Sequence, residues 1–184
     1  SSHATAVESS AASEPTDVAA FLAAHADEYA FYGSGKAALR DGLAGLARPG
    51  ENVLLPAYLP DAVAEPLAEL GLEARYYAVD ADLAPDLADL ERRIDGETAA
   101  ILTVDYFGLP APSLDAVASI AGEHGCYHID DAAHAALSVD DGTLLGTHGH
   151  LGITSLWKTL PVPNGAVLYL TDDDVAERYR PTPL

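Results

Sequence analysis

Cys126-Tyr127-His128-Ile129-Asp130-Asp131-Ala132-Ala133-His134 and Leu151-Gly152-Ile153-Thr154-Ser155-Leu156-Trp157-Lys158 each contain a short apolar run; the first runs into acids and the second into an amine. In an α/β protein each reads as a buried strand, Tyr127–Asp130 and Ile153–Leu156. Residues just past such strands sit at the carboxyl edge of the sheet, where ligands bind. The two runs therefore put Asp131 and Lys158 on one rim of one crevice. A lysine that forms a Schiff base and an acid that keeps a pyridine nitrogen protonated are the two groups that pyridoxal 5′-phosphate chemistry requires of a protein.

Working outward, helix and strand signals alternate. Thr16 or Asp17 caps a helix with Val18, Phe21, Leu22 and His25 on one face, ending near Tyr29-Ala30-Phe31-Tyr32. Gly33-Ser34-Gly35-Lys36 is a glycine-rich turn opening a helix that Arg48-Pro49-Gly50 stops. Free N–H groups and the helix dipole make such a turn an anion site, to which Lys36 adds charge; read without a ligand, it is a helix cap with Ser34 as the capping residue. Strands follow at Asn52–Pro56, Glu73–Val79, Thr98–Val104 and Ala166–Leu170, with helices at Asp61–Leu70, Asp86–Ile94 and Leu114–His124. Near-continuous apolar strands separated by helices predict a three-layer α/β/α fold around a mostly parallel sheet. Residues 1–16 are Ser/Ala-rich and read as an unordered tail, 17–175 as one domain, and 176–184 as a linker-like end.

Composition narrows the partners. The 184 residues carry 29 acids against 9 Lys and Arg, a net charge of −20, with 49% hydrophobic residues. That balance argues against nucleic acid and anionic membrane as partners, since both need basic surface. The acids are dispersed and not blocked into a tail, which fits a protein kept soluble in high salt. There is no apolar run long enough to span a membrane and no basic-then-apolar start, so the expected compartment is the cytoplasm. Cys126 is alone, which leaves no disulfide framework and no multi-cysteine metal site. His148 and His150 form His-x-His on a glycine-rich loop with no third ligand in view, so no metal site is predicted. Lys36 and Lys158 are the only lysines, which makes a specific task for each more plausible than for a lysine on an ordinary surface.

Bland readings compete. Asp130-Asp131 can be a solvated turn, His134 a satisfied buried histidine, and Trp157 core packing; Asp105-Tyr106-Phe107-Gly108 either lines the crevice or simply turns the chain.

Four segments in order carry a resemblance. Ser34-Gly35-Lys36-Ala37-Ala38-Leu39 is similar to a Ser-Gly-Thr-Ala-Ala-Leu phosphate turn, and Pro49-Gly50-Glu51-Asn52-Val53-Leu54-Leu55-Pro56 to Pro-Gly-Asp-Glu-Val-Ile-Val-Pro. Ile129-Asp130-Asp131-Ala132-Ala133-His134 is similar to Ile-Glu-Asp-Ala-Ala-Gln, and Ser155-Leu156-Trp157-Lys158 to a Ser-x-x-Lys segment. These are motifs of the DegT/DnrJ/EryC1/StrS aminotransferases, fold-type-I enzymes dependent on pyridoxal 5′-phosphate, and from about Phe31 to Leu170 the chain resembles their large domain with its seven-stranded type of sheet. The resemblance implies Lys158 as the cofactor lysine that also shuttles the proton, and Asp131 as partner of the pyridine nitrogen. It implies His134 beside the ring oxygen, Tyr58 as the stacking aromatic, and Gly35, Lys36 and Ser155 around the phosphate. It also implies amino transfer to a keto group on a nucleotide-linked sugar from a donor such as glutamate, in a homodimer whose two chains share the site.

The sequence departs from the pattern at Lys36 for Thr, His134 for Gln, and Asn164-Gly165 for a Gly-Gly pair. With 176–184 read as a linker-like end, the 184 residues are expected to hold the large domain without the C-terminal small domain that such enzymes carry. Two other readings therefore stand beside the first: a fold-type-I enzyme acting on amino acids, and a non-catalytic or truncated module.

Overall fold

The computed structural model describes residues 5–8, 16–59, 63–135, 137–156 and 165–182. In chain order the elements are β1 (Thr5–Glu8), α1 (Thr16–His25), β2 (Glu28–Tyr32), α2 (Gly35–Ala44), β3 (Asn52–Pro56), α3 (Ala64–Glu69), β4 (Glu73–Tyr77), α4 (Leu87–Arg93) and β5 (Thr98–Val104). A single 3₁₀ turn (Tyr106–Gly108), α5 (Leu114–His124), β6 (Tyr127–Ala132), a small hairpin of β7 (Val139–Asp140) and β8 (Thr143–Leu144), β9 (Leu151–Ser155), β10 (Ala166–Leu170) and α6 (Asp173–Arg178) complete it.

Eight strands form one sheet in the order β1-β2-β10-β9-β6-β5-β3-β4. β10 runs antiparallel to both β2 and β9, and every other neighbouring pair is parallel. β3, β5 and β10 are buried along their whole length, as strands covered on both faces must be. On one face, Leu39 and Leu43 of α2, Leu67 of α3 and Val175 of α6 pack on Val53, Leu55, Leu102, Ile129 and Leu168. On the other, Leu90 of α4 with Val117 and Ile120 of α5 covers Leu54 and Ile101. Leu22 of α1 covers Phe31, Val167 and Tyr169 on that same face. This is the predicted three-layer architecture. Gly125 ends α5 in a left-handed conformation (φ 67°), its N–H returning to Ala121, which turns the chain straight into β6.

Four details differ from the sequence reading. Glu28–Tyr32 is a strand and not the tail of α1. Its aromatic residues favour strands, and burial on both faces removes the alternation that would have marked it. Thr5–Glu8 pairs in parallel with β2, Thr5 opposite Glu28, so part of the predicted unordered tail supplies a strand at the sheet edge. The sheet has one reversed member, β10, because the connection from β9 holds too few residues for a crossover helix. Finally, the predicted linker packs back on the domain through Thr182.

That last contact centres on Asp41 of α2, which is 3% exposed. Its carboxylate accepts from Tyr32 Oη at 2.8 Å, from Thr182 N at 2.9 Å and from Thr182 Oγ1 at 2.6 Å. Burial pushes the Asp41 carboxyl up, but the Thr182 and Tyr32 hydrogen bonds outweigh it and hold the group below its ordinary value. A depressed carboxylate stabilises above its unfolded pKa and loses that contribution as pH falls through the folded one. Asp41→Ala is accordingly expected to cost about 1–2 kcal/mol at pH 7, from the charged hydrogen bonds to Tyr32 and Thr182 that it removes. Urea unfolding should show the gap to wild type narrowing as pH drops below about 4; a gap that is constant with pH would contradict it. Among the described residues no helix is long and apolar enough to cross a membrane.

Candidate active site

In the eight-stranded sheet all strands but β10 point the same way, so the carboxyl ends of β2, β3, β5, β6 and β9 and the segments that follow them lie at one edge of the sheet. These segments carry Ser34-Gly35-Lys36, Tyr58, Asp105-Tyr106-Phe107, Asp131 to His134, and Ser155. This is the edge at which open α/β sheets bind ligands.

Asp131 lies on β6 opposite Val104 of β5 and is 1% exposed. Its Oδ1 accepts from Ala133 N at 3.0 Å, and its carbonyl oxygen accepts from Asp105 N at 2.9 Å. Asp130 and Asp105 are wholly buried, so none of these acids belongs to a solvated turn. Ile129 packs in the cluster beneath α2 and α3, and strand alternation puts Asp131 on that face and Asp130 on the other. Asp130 accepts instead from Gly146 N at 2.9 Å and His148 N at 3.0 Å.

Tyr58, Tyr106, Phe107 and His134 line a cavity of about 200 Å³. The Tyr106 hydroxyl donates to the Tyr58 carbonyl oxygen, and the two rings lie 5.6 Å apart. Burial, then the nearby Asp131 charge, pushes the Tyr106 phenol up to about 12, so it stays a donor throughout the physiological range. Phe107 is 79% exposed and left-handed (φ 55°), a conformation that a non-glycine residue keeps only where its surroundings impose it. Sequence reasoning singled out Asp105–Gly108 without assigning Tyr106 or Phe107 to the site; two aromatics directly after a strand end were the available signal.

At the start of α2, Ser34 caps the helix by accepting from Ala37 N at 3.2 Å. The first helical N–H groups have no acceptor within the helix, and a Cβ added at Gly35 would meet nothing within 4 Å. The turn is thus capped and also open to an anion. The Lys36 amine pairs with Glu65 of α3 at 2.5 Å, so its charge is directed along the helix pair and partly neutralised. Ser155 is half-buried at the end of β9. Lys158 and Trp157 lie outside the described residues.

The two histidines of His-x-His diverge. His148 Nδ1 lies 3.3 Å from Asp130, while His150 Nδ1 accepts from the His128 amide at 2.9 Å. Among the described residues no group of three or more potential ligands could hold a metal ion.

The sequence matches the DegT/DnrJ/EryC1/StrS aminotransferase family over residues 17–182. The chain belongs to that family. It is 35% identical over 135 residues to a dTDP-4-dehydro-2,3,6-trideoxy-D-glucose 4-aminotransferase of Saccharopolyspora spinosa, covering 72% of this chain and 35% of that one. It is 37% identical over 134 residues to an L-glutamine:scyllo-inosose aminotransferase of Streptomyces griseus, covering 70% and 31%. Among solved structures, DesV of S. venezuelae in complex with a ketimine intermediate superposes with a TM-score of 0.74 at 28% identity, covering 87% of this chain and 44% of that one. The chain therefore spans about a third of the length of these curated relatives. The cofactor of this aminotransferase family is pyridoxal 5′-phosphate.

Proposed function

We propose that this chain is the cofactor-binding part of an aminotransferase that aminates a keto group on a nucleotide-linked sugar, taking the amino group from a donor such as glutamate. The observation that carries the reading is the convergence of a buried acid, a histidine-and-aromatic cavity and an open helix N-terminus on one sheet edge. The residues present fit pyridoxal 5′-phosphate. The buried Asp131 suits a cationic pyridine nitrogen, since a carboxylate in such a place needs a compensating charge. His134 would hydrogen-bond the ring oxygen, and Tyr58, which lines the same cavity, would cover a ring face. The backbone of Gly35 and Lys36, with the Ser155 hydroxyl, would hold the phosphate. When bound, the cofactor supplies the electron sink for amino transfer. Lys158 would hold it covalently, and Lys158 Nζ would carry the proton that amino transfer moves.

The relative in S. spinosa supports the sugar acceptor, and the relative in S. griseus supports a keto-cyclitol as the competing one. Tyr58, Phe107 and Leu109 leave 50%, 79% and 65% of their surfaces exposed beside the crevice, which supports a homodimer closing over it. The net charge of −20 supports a cytoplasmic, salt-adapted protein.

The test is the visible absorption spectrum of the purified chain in high salt with added pyridoxal 5′-phosphate, repeated on Lys158→Ala. A protein-bound band in the wild type that disappears in the variant is expected. No band in either protein would overturn the assignment. Acceptor class is then read by offering glutamate with a dTDP-linked keto-sugar, a keto-cyclitol and a keto acid in parallel.

A further inference from the structure

The structure assigns one shared proton to Asp105 and Asp130, and with it a positioning role to Asp105, whose protonated carboxyl bridges β5 to β6 and holds the Tyr106–Phe107 wall of the crevice. Both acids are 0% exposed. Asp130 lies opposite Thr103, two residues before Asp105, so strand alternation puts the two carboxyls on one face of adjacent strands, where each acts on the other. Asp130 Oδ2 is fully engaged, accepting from Gly146 N and His148 N, with His148 Nδ1 at 3.3 Å. Asp105 Oδ1 accepts from Ala111 N at 2.9 Å. The other oxygen of each, Asp105 Oδ2 and Asp130 Oδ1, is buried and, among the described residues, has no N–H or O–H donor. Two bare oxygens of two ionised acids cannot be left together in a dry interior, and one proton between them satisfies both at once.

The proton belongs on Asp105. Asp130 has two amide donors and the His148 ring to hold its charge, whereas Asp105 has one amide. Burial first, then the Asp130 charge, pushes the Asp105 carboxyl far above the ordinary carboxylate range, and the charge on Asp131 adds to this. His128 on β6, pushed down to about 4 chiefly by burial, is neutral at pH 7 and brings no cation. The remaining titratable neighbours are Tyr106 after β5 and Tyr169 of β10, whose buried phenol is raised and stays protonated. His148, raised by its bond to Asp130, also faces Asp140 and Asp115.

The consequence lies in the loop. Asp105 N donates to Asp131 and Asp105 Oδ1 accepts from Ala111, so one residue fastens both ends of the segment that carries Tyr106 and the left-handed Phe107. Through Asp130 the same proton reaches the Gly146–His148 turn that leads into β9. Ionising Asp105 would set two carboxylates against each other and loosen the aromatic wall.

The test compares the full chain with Asp105→Asn and Asp105→Ala. The asparagine amide donates to Asp130, and its oxygen accepts from Ala111, which copies the protonated acid without its titration. A group whose folded pKa is raised keeps its proton in the native state after the unfolded state has lost it, so stability falls as pH rises above the unfolded value of about 4. The wild-type folding constant, taken as a ratio to that of Asp105→Asn, should therefore fall about tenfold per pH unit between roughly pH 5 and 8. His148 titrates in both proteins and largely cancels in the ratio. Hydrogen exchange should show the Ala111 amide protected in wild type and Asp105→Asn and open in Asp105→Ala. Carbon-13 spectra of the wild-type aspartate carboxyls should show one acid still protonated at pH 7, a readout that stands even where Asp105→Ala does not fold. A flat ratio, or every aspartate ionised at pH 7, would overturn the proposal. None of these measurements uses the cofactor, so failure of the functional assignment leaves them intact.

Discussion

Gly152→Ala is expected to cost more than about 4 kcal/mol and to leave little folded protein at any denaturant concentration. Gly152 sits in the middle of β9, paired with Asp130 of β6 on one side and Tyr169 of β10 on the other. A Cβ at this position would lie 1.6 Å from the Gly146 carbonyl oxygen and 2.6 Å from the carbonyl carbon. The first distance is close to that of a covalent bond, about 1.5 Å, so no rotamer change relieves it. The obstacle is backbone, and it is backbone that Asp130 pins through Gly146 N. Moving it would pull apart the centre of the sheet and the turn that holds His148. Gly42→Ala provides the contrast. There the new Cβ meets only the tips of Leu151 and Leu168, at 2.8–3.1 Å. Overpacking of about 1–3 kcal/mol is partly offset by about 1 kcal/mol of helix propensity, leaving a net cost near 1 kcal/mol. Circular dichroism with urea titration separates the two, and a Gly152→Ala protein with the wild-type midpoint would refute the argument.

Gly152 also shows how far the sequence could be read. It stands inside a run of apolar residues, and nothing local says that another loop's backbone crosses it. The strands and helices bounded by glycine or by polar caps, such as Thr98–Val104, Leu114–His124 and Ala166–Leu170, are legible to the residue because burial and stop signals agree. β2 is not, because no glycine or proline divides it from α1 and its burial on both faces erases the period. The direction of β10 is not written in its residues at all, since a fully buried strand has the same pattern in either sense; the length of the connection decides it. In the site, motif order gives the edge on which Gly35, Tyr58, Asp131, His134 and Ser155 gather, but not their partners. Lys36 reads as a phosphate cation and is found paired with Glu65, a residue of a different helix. The adjacent acids Asp130 and Asp131 read as one feature and prove to be two, because strand alternation sends them to opposite faces.

That separation gives the second large effect its clean test. On the proposed function, with Asp131 at the pyridine nitrogen, Asp131→Asn is expected to lower the rate of amino transfer from glutamate roughly 10²–10³-fold, the cost typical of removing one preorganised electrostatic partner. The asparagine keeps the shape of the side chain and can keep an oxygen facing Ala133 N, so the local turn survives. It carries no negative charge, so it would no longer favour a proton on the pyridine nitrogen of a bound cofactor, and the electron sink would weaken. Stability should change by no more than about 1 kcal/mol, since the side chain keeps its shape and neutral hydrogen bonds replace charged ones. Single-turnover absorbance with glutamate measures the rate, and urea unfolding measures the fold. A slow variant of unchanged stability places the acid at the cofactor ring; an unchanged rate would remove Asp131 from that role. Asp130→Asn distinguishes the neighbours by a different signature. Its carboxylate faces the other side of the sheet and accepts from Gly146 and His148, so its loss should appear mainly in stability and in the titration of His148. Two adjacent acids of one strand thus predict two unlike phenotypes, and a pair of variants with the same phenotype would mean that the alternation of β6 does not govern the site.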